Sequence, residues 1–187
     1  SEVASFIEQT RGEALRLART CDSLLLLARV HHAKPVAAAA REYLVNEWLM
    51  DCVQDCASLA KQSNVSMVPQ LLDGDDADSC VVGDRDLLRV TLDNILRNAV
   101  RFSPPGESVV IDASANDTHI VVRVKDQGPG IPPALVTRIF ERFVQADPST
   151  IPQGGRSAGI GLQIARGICE LHGGTLTAAN NTPAGCT

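Results

Sequence analysis

Two asparagines on one predicted helix face are the first residues whose type and spacing could do chemistry. Asn94 and Asn98 lie four positions apart among leucines and isoleucines, so they share one helix face. Burying an amide is costly without a polar partner, and amide oxygens are good ligands for Mg²⁺. The pair therefore predicts a polar or metal-bound ligand, but taken alone it fits an exposed polar face at least as well.

A second cluster, Asp126-Gln-Gly-Pro-Gly-Ile131, directly follows a predicted strand. A carboxylate at a strand end can accept a hydrogen bond from an exocyclic amine such as that of adenine. The glycines let the backbone approach a flat ring closely. Because tight turns use the same residue types, the pattern is weakly specific when it stands alone.

The third cluster is glycine-rich. Gly154-Gly155 precede Gly159-Ile-Gly-Leu162, which opens a predicted helix. Unbonded N–H groups and the positive end of the helix dipole make such a terminus favourable for phosphates. The cluster lacks the lysine of a Walker A loop, and it does not follow a strand, which disfavours a dinucleotide-binding motif. The alternative is a flexible loop followed by an ordinary helix start.

The elements that must position these clusters mix helices and strands. Asp84 is the expected N-cap of the helix that carries the asparagines. Helices are predicted at 1–32, 44–61, 84–102, 134–143 and 159–172, and strands at 66–72, 81–82, 109–115, 119–126 and 175–179. The strands 109–115 and 119–126 form an antiparallel hairpin. Because the order is not a repeated βαβ, we expect an α/β (α+β) fold, a two-layer sandwich of a mixed sheet against helices.

Composition limits the function classes. The chain has 187 residues and a net charge of −5, which suits one sizeable domain and disfavours nucleic acid as the main partner. No apolar run is long enough to cross a bilayer, and no secretory leader opens the chain, so we expect a soluble piece without membrane contact. The acidic stretch 73–78 predicts a solvated turn rather than a calcium loop.

The six cysteines form no C-x-x-C pair, so we expect core cysteines in a reduced compartment.

Residues 1–32 carry a heptad-like apolar seam that includes Ile7, Ala14, Cys21 and Ala28. This seam predicts one long helix in a dimeric bundle that precedes the sandwich. The alternative is a helix that packs inside the same domain.

Taken in order, the clusters resemble the N, G1, F and G2 boxes of bacterial sensor histidine kinases. The matching residues are Asn94…Asn98, Asp126-x-Gly128-x-Gly130, Ile139-Phe-Glu-Arg-Phe143 and Gly159-Ile-Gly161-Leu162. The resemblance covers residues 40 to 180 or so and implies the Bergerat sandwich of gyrase-type, Hsp90-type and MutL-type ATPases. It also implies that 1–32 is the second helix of a dimerisation and phosphoacceptor hairpin, 33–43 a linker and 44–187 the catalytic ATP-binding domain.

The same resemblance implies the cofactors ATP and Mg²⁺ and a role for each matching residue. Asp126 would hold the adenine amine, Asn98 the Mg²⁺, and Phe102 would lie against the base. Asn94 and Arg101 would act at the phosphates as catalytic residues. The other implied nucleotide contacts are Gly128, Gly130, Ile131, Phe143, Gly159, Ile160, Gly161 and Leu162. Residues 144–158 would form a mobile ATP lid.

The implied activity is transfer of the γ-phosphoryl group of ATP to a histidine outside this fragment, for relay to an aspartate of a response regulator receiver domain. In this family Glu or Asp usually follows the acceptor histidine, and none of the four histidines here has that neighbour: His31, His32, His119 and His172. Asn94 stands where gyrase-like relatives carry a water-activating Glu. Because an amide cannot act as a general base, the residue favours a kinase over a hydrolase.

Two alternatives remain open. One is a serine-directed anti-sigma-type kinase, and the other is a nucleotide-sensing or docking module without kinase activity.

The resemblance implies a homodimer through the bundle helices and a cytoplasmic location below an inner-membrane receptor. Gln145 stands where many relatives carry Arg, which leaves Arg142 and Arg156 as candidates for the γ-phosphate contact. A last strand expected after Thr187 is missing, so we expect an incomplete sheet.

Overall fold

The structure, a computed structural model, describes residues 40–116, 118–141, 144, 159–182 and 184–187, together with residues 6, 7, 10, 11, 21, 25 and 26. The elements are β1 Arg41–Leu44, α1 Val45–Gln62, β2 Ser66–Gln70, a 3₁₀ turn Gly74–Asp76, β3 Cys80–Gly83, α2 Arg85–Phe102, β4 Ser108–Ala115, β5 Ile120–Lys125 and α3 Gly161–Leu171. The order confirms the predicted α/β fold.

The strands form a mixed sheet and a separate strand pair. β2 runs parallel to β4, with Ser66 opposite Ser108. β4 and β5 are antiparallel, with Ala115 opposite Ile120, which confirms the predicted hairpin. β1 and β3 pair antiparallel on their own.

Local chemistry explains where α2 begins and ends. Asp84 caps the helix, because its Oδ1 accepts from the N–H groups of Asp86 and Leu87 at 3.1 Å each. The helix stops at Phe102, since Ser103 is extended and Pro104 follows it. The predicted N-cap is thereby confirmed.

The core lies between the helices and one face of the sheet. Val109, Ile111 and Val124 alternate with less buried residues along β4 and β5 and meet the apolar faces of α1 and α2. Leu96 is fully buried there, and such a side chain contributes about 1.5–3 kcal/mol when it leaves water. A second cluster joins Ile160, Ile164 and Ile168 to apolar residues of α2, and Leu26 packs against the same cluster.

The predicted helix over 134–143 is wrong as far as the structure describes it. Residues 133–140 form successive turns instead. Leu135 N bonds Pro132 O and Arg138 N bonds Leu135 O, both at 2.8 Å, whereas Ile139 N makes a bond of helical span to Leu135 O. Bonds that span three residues close single turns and do not propagate an α-helix.

The predicted strand 175–179 is also wrong, because these residues join no strand ladder. Ala179 and Thr187 exchange backbone hydrogen bonds of 2.8 Å, and a single bridge joins Asn180 to Cys186. This pairing is too short to form a strand. Conversely, β1 was not predicted, and most of it falls in the segment expected to be a linker.

The cysteine prediction holds for two residues. Cys52 and Cys56 are buried in the core, but Cys21 and Cys80 are exposed. Most of the predicted helix 1–32 lies outside the described residues, and the residues of it that are described are helical. Over the described part of the chain, no helix combines the length and apolarity needed to cross a membrane.

Candidate functional site

The two asparagines that the sequence singled out lie one turn apart in α2, and both are half-buried. The Asn94 side chain bonds its own helix, because Nδ2 donates to Val90 O at 2.9 Å. The Asn98 amide makes no side-chain hydrogen bond to any residue that the structure describes. Asn94 is therefore held in one orientation, and the Asn98 oxygen is available to a ligand.

Asp126 follows β5 and is the best-defined polar group of the site. Its Oδ1 accepts from Gly128 N at 2.8 Å and from Cys186 N at 3.1 Å. Its Oδ2 accepts from no described residue. Burial raises the pKa of Asp126, and the two N–H bonds partly offset that rise. One oxygen is thus fixed by the backbone while the other can accept a hydrogen bond from a ligand.

Gly128 packs the loop after β5 against the end of α2. A Cβ at this position would lie 2.9 Å from Phe102 O and 3.0 Å from Asp126 Oδ1. Any side chain would therefore push the loop away from α2 and disturb the Asp126 carboxylate. The glycine is required by this close approach, in addition to any contact with a base.

Gly161 makes the equivalent contact at the start of α3. A Cβ there would lie 2.5 Å from Asn94 Oδ1. Ile160 is the N-cap and provides no side-chain cap, and no acidic residue stands in the first turn. The first helical hydrogen bond is Ile164 N to Ile160 O at 3.0 Å, so the N–H groups of residues 161–163 precede it. This terminus can receive an anion beside Asn94.

The two glycine turns thus contact the same helix at Asn94 and Phe102. These positions are separated by about 12 Å along the axis, at 1.5 Å per residue. One end of the site carries a carboxylate suited to an amine, and the other carries N–H groups suited to phosphate. An elongated ligand with an amine at one end and phosphates at the other fits this order.

The remaining predicted site residues are placed in part. The Arg101 guanidinium carbon lies 5.6 Å from the centre of the Phe102 ring. Gly130 and Gly159 adopt left-handed backbone with φ of 76° and 67°. Ile160 is buried, and Ile131 and Leu162 are half-buried. The other predicted residues lie outside the part of the chain that the structure describes: Arg142, Phe143, Gly154, Gly155, Arg156 and the lid 144–158 apart from Val144.

A metal ion would need the nucleotide to complete its coordination. Among the described residues, no three His, Cys, Asp or Glu side chains converge on a possible metal position. Mg²⁺ in nucleotide sites is commonly held by one or two protein oxygens together with phosphates and water. The Asn98 amide oxygen fits that kind of site, because it is hard, half-buried and has no partner in the described part of the chain.

Sequence reasoning missed two contributors. The C-terminal segment reaches the loop after β5, where Cys186 bonds Asp126 and Asn180 bonds Ile131. His172, predicted as a helix-end residue, accepts from Asp84 N at 3.0 Å through Nε2 and donates from Nδ1 to Ile168 O at 2.8 Å. The contacts of Asn180 and His172 span 49 and 88 positions, so no local signal could reveal them.

Comparison with known proteins agrees with this geometry. Residues 83–187 match the family described as histidine kinase-, DNA gyrase B- and HSP90-like ATPase. The probable sensor histidine kinase TcrY of Mycobacterium tuberculosis is 32% identical over 181 residues, covering 96% of this chain and 36% of TcrY. This chain therefore spans little more than a third of that relative.

Two solved structures are also similar. Full-length ShkA in complex with AMPPNP has a TM-score of 0.81 and 25% identity, covering 100% of this chain and 37% of that one. Histidine kinase ThkA, solved in complex with response regulator protein TrrA, has a TM-score of 0.64 at 22% identity, covering 79% of this chain and 40% of that one. Because ThkA is less than 25% identical to this chain, its likeness shows the fold alone. The chain belongs to the family of histidine kinase-, DNA gyrase B- and HSP90-like ATPases.

Proposed function

We propose that this chain binds ATP with Mg²⁺ and transfers the γ-phosphoryl group to a histidine that lies outside residues 1–187. The observation that carries the proposal is the state of Asp126. Its Oδ1 is fixed by two backbone N–H groups, and its Oδ2 accepts from no described residue. The loop that follows Asp126 packs on α2 through Gly128. Such a carboxylate is suited to the exocyclic amine of adenine.

The other roles follow from position along α2. Phe102 lies at the end of the helix that Gly128 contacts, where the base would sit. Asn94 would act at the phosphates, near the N–H groups that open α3. The role of Arg101 at the phosphates comes from the family resemblance instead, because Arg101 lies beside Phe102. Asn98 would hold the Mg²⁺, which neutralises phosphate charge when bound. Since Asn94 is an amide already bonded to Val90 O, it can position phosphates but cannot activate water.

The whole protein would extend beyond this chain. We propose that residues 1–32 form the second helix of a dimerising hairpin, 33–43 a linker and 44–187 the catalytic domain. ThkA was solved with a response regulator, and we propose a receiver domain as the partner here as well. From the family resemblance we also propose that the domain lies on the cytoplasmic side of a membrane receptor.

Nucleotide binding is tested by titrating ATP into the chain by calorimetry, with and without Mg²⁺. The Asp126→Asn variant replaces a charged acceptor with an amide that can turn a donor towards the amine. Hydrogen bonds to charged groups contribute about 1.5–3 kcal/mol, so ATP should bind about ten- to a hundredfold more weakly. Asp112→Asn is the matched control, because Asp112 bonds Lys125 and Arg123 on the sheet rather than the site.

Asn98→Ala is tested alongside and should reduce the effect of Mg²⁺ on affinity while nucleotide binding without metal persists. Equal ATP binding by the Asp126→Asn variant and the wild type would refute the proposed site. Failure of the wild type to bind ATP would refute it as well.

Transfer is tested by adding a bundle hairpin with an acceptor histidine in trans, together with radiolabelled ATP. A histidine kinase produces acid-labile, base-stable phosphate on the hairpin. Acid-stable phosphate on serine would instead support a serine-directed kinase. Tight ATP binding without transfer to any hairpin of the family would support a docking or nucleotide-sensing module.

A further inference from the structure

The C-terminal segment folds back beside the loop that carries Asp126. Ala179 and Thr187 exchange backbone hydrogen bonds of 2.8 Å, and Asn181 N donates to Gly185 O at 2.9 Å. We refer to residues 179–182 and 184–187 as the C-terminal hairpin. None of its residues was expected to take part in the site.

The Asn180 side chain of this hairpin binds the C-terminal end of the Asp126–Ile131 loop. Asn180 Oδ1 accepts from Ile131 N at 2.6 Å, and Asn180 Nδ2 donates to Ile131 O at 2.8 Å. Both polar atoms of one amide therefore bond the backbone of a single residue. Gly130 makes the approach possible, because a Cβ there would lie 3.0 Å from Asn180 Oδ1.

The same hairpin holds the near end of the loop. Asp126 N donates to Cys186 O at 2.9 Å, and Cys186 N donates to Asp126 Oδ1 at 3.1 Å. Gly185 lies so close that a Cβ would sit 2.0 Å from Asp126 O. The loop from Asp126 to Ile131 is thus bonded at both ends to one hairpin.

This restraint matters because the loop has no regular structure and contains two glycines. Glycine-rich backbone loses more conformational entropy on ordering than other backbone does. A loop that is already fixed before the ligand arrives avoids that cost on binding. Asp126 itself and Asn180 supply side-chain hydrogen bonds to this loop.

We propose that Asn180 is a positioning residue for base recognition, which acts by fixing the Asp126–Ile131 loop so that the Asp126 carboxylate meets the exocyclic amine of adenine. This inference rests on the proposed nucleotide site. It predicts that loss of Asn180 affects base selectivity more than it affects binding of the phosphates. The phosphate end lies at Asn94 and Gly161, away from the hairpin contacts.

The test compares ATP with inosine triphosphate, both with Mg²⁺, in the full chain. Inosine carries a keto oxygen in place of the exocyclic amine, so its C6 group cannot donate to Asp126. The wild type should prefer ATP. Asn180→Ala removes both hydrogen bonds to Ile131 and frees the loop, so ATP should bind roughly tenfold more weakly. Inosine triphosphate should be affected less, so the selectivity ratio should fall.

Asn181→Ala is the matched control. Asn181 is the neighbouring asparagine, and its Oδ1 accepts from Thr187 Oγ1 at 2.7 Å inside the hairpin without reaching the loop. This variant should keep the wild-type selectivity ratio. Asn180→Asp retains an acceptor for Ile131 N but loses the donor to Ile131 O, so its ratio should lie between those of the wild type and Asn180→Ala.

Hydrogen exchange of the Ile131 amide gives a readout without nucleotide, and exchange should be faster in Asn180→Ala than in Asn181→Ala. An unchanged selectivity ratio in a folded Asn180→Ala variant would overturn the inference while the proposed function stands. So would an equal loss of affinity for both nucleotides, which a purely structural role produces. A wild type that binds both nucleotides equally would overturn both the Asp126 assignment and this inference.

Discussion

Replacement of Gly161 by alanine tests whether the start of α3 and the amide of Asn94 are fitted to each other. The new methyl group would lie 2.5 Å from Asn94 Oδ1, 3.2 Å from its Cγ and 3.7 Å from its Cβ. Only the last distance is an ordinary contact. Either the Asn94 amide turns away or the first turn of α3 moves outward.

Gly161→Ala changes the free energy of unfolding through contributions of opposite sign, each of known size. Turning the Asn94 amide breaks its bond to Val90 O, which costs about 1 kcal/mol. An off-rotamer side chain adds about 0.5–1.5 kcal/mol. Alanine in place of glycine in a helix gains at most about 1 kcal/mol, and less at the first position. Gly161→Ala should therefore destabilise the domain by about 1 kcal/mol and weaken ATP binding at the phosphate end.

A double-mutant cycle with Asn94→Ala makes the prediction sharp. Once the amide is removed, the alanine at position 161 faces only a Cβ at contact distance, so the substitution should stabilise by about 0.5 kcal/mol. The two changes should thus couple by about 1.5 kcal/mol, measured from urea unfolding curves with matched slopes. Additivity within about 0.5 kcal/mol would show that the two residues do not constrain each other and would refute the reasoning.

Three further changes have definite expected results. Burial raises the pKa of Asp126 above its value in the unfolded chain, so its ionised form opposes folding at neutral pH. Asp126→Asn should be at least as stable as the wild type in urea at pH 7, and this advantage should shrink as the pH falls towards the ordinary carboxyl value; a variant clearly less stable at pH 7 would contradict this. Leu96→Ala should cost about 2–5 kcal/mol in the same assay, because Leu96 is fully buried, and a cost below about 1 kcal/mol would contradict its place in the core. Asp84→Ala should cost about 1 kcal/mol through loss of the α2 cap, whereas no change would show that the cap is not needed.

The parts of the fold that could be predicted are those with strong local signals. α2 carries an N-cap, a long apolar period and a terminating proline, and its bounds were predicted to within one residue. The hairpin of β4 and β5 combines strands that partly alternate apolar and polar residues with a turn at Asn116. These signals hold within one element and do not depend on its neighbours.

The failures occurred where a local pattern needed a distant partner. The segment 175–179 was predicted as a strand, but only its last residue, Ala179, exchanges backbone hydrogen bonds with the C-terminal stretch, at Thr187. β1 begins with the charged residues Arg41 and Glu42, which do not indicate a strand, although β1 pairs with β3. The parallel pairing of β2 with β4 cannot be inferred from either strand alone. Each outcome depends on contacts between residues far apart in the chain.

For two glycines of the predicted site, the structure gives a reason that the sequence did not. Gly128 was expected to let the backbone approach a flat ring, and Gly161 to open a helix terminus that offers N–H groups to phosphates. The structure shows that both must be small so that α2 can approach, with Phe102 O and Asn94 Oδ1 at the contact points. A packing requirement and a binding requirement therefore select the same residue type, and sequence alone cannot separate them.

This coincidence explains how a few glycines can organise both ends of the site. The proposed adenine end is built in advance, because Asp126 Oδ1 and Ile131 are fixed by the C-terminal hairpin before any ligand arrives. At the phosphate end, the N–H groups that open α3 have no side-chain cap, so the ligand itself would complete them. Base recognition should then depend on how rigidly the loop is held, and phosphate binding on how closely Gly161 lets α3 approach Asn94. Changes at Asn180 and at Gly161 should accordingly weaken ATP binding by independent routes, because they act on opposite ends of one nucleotide.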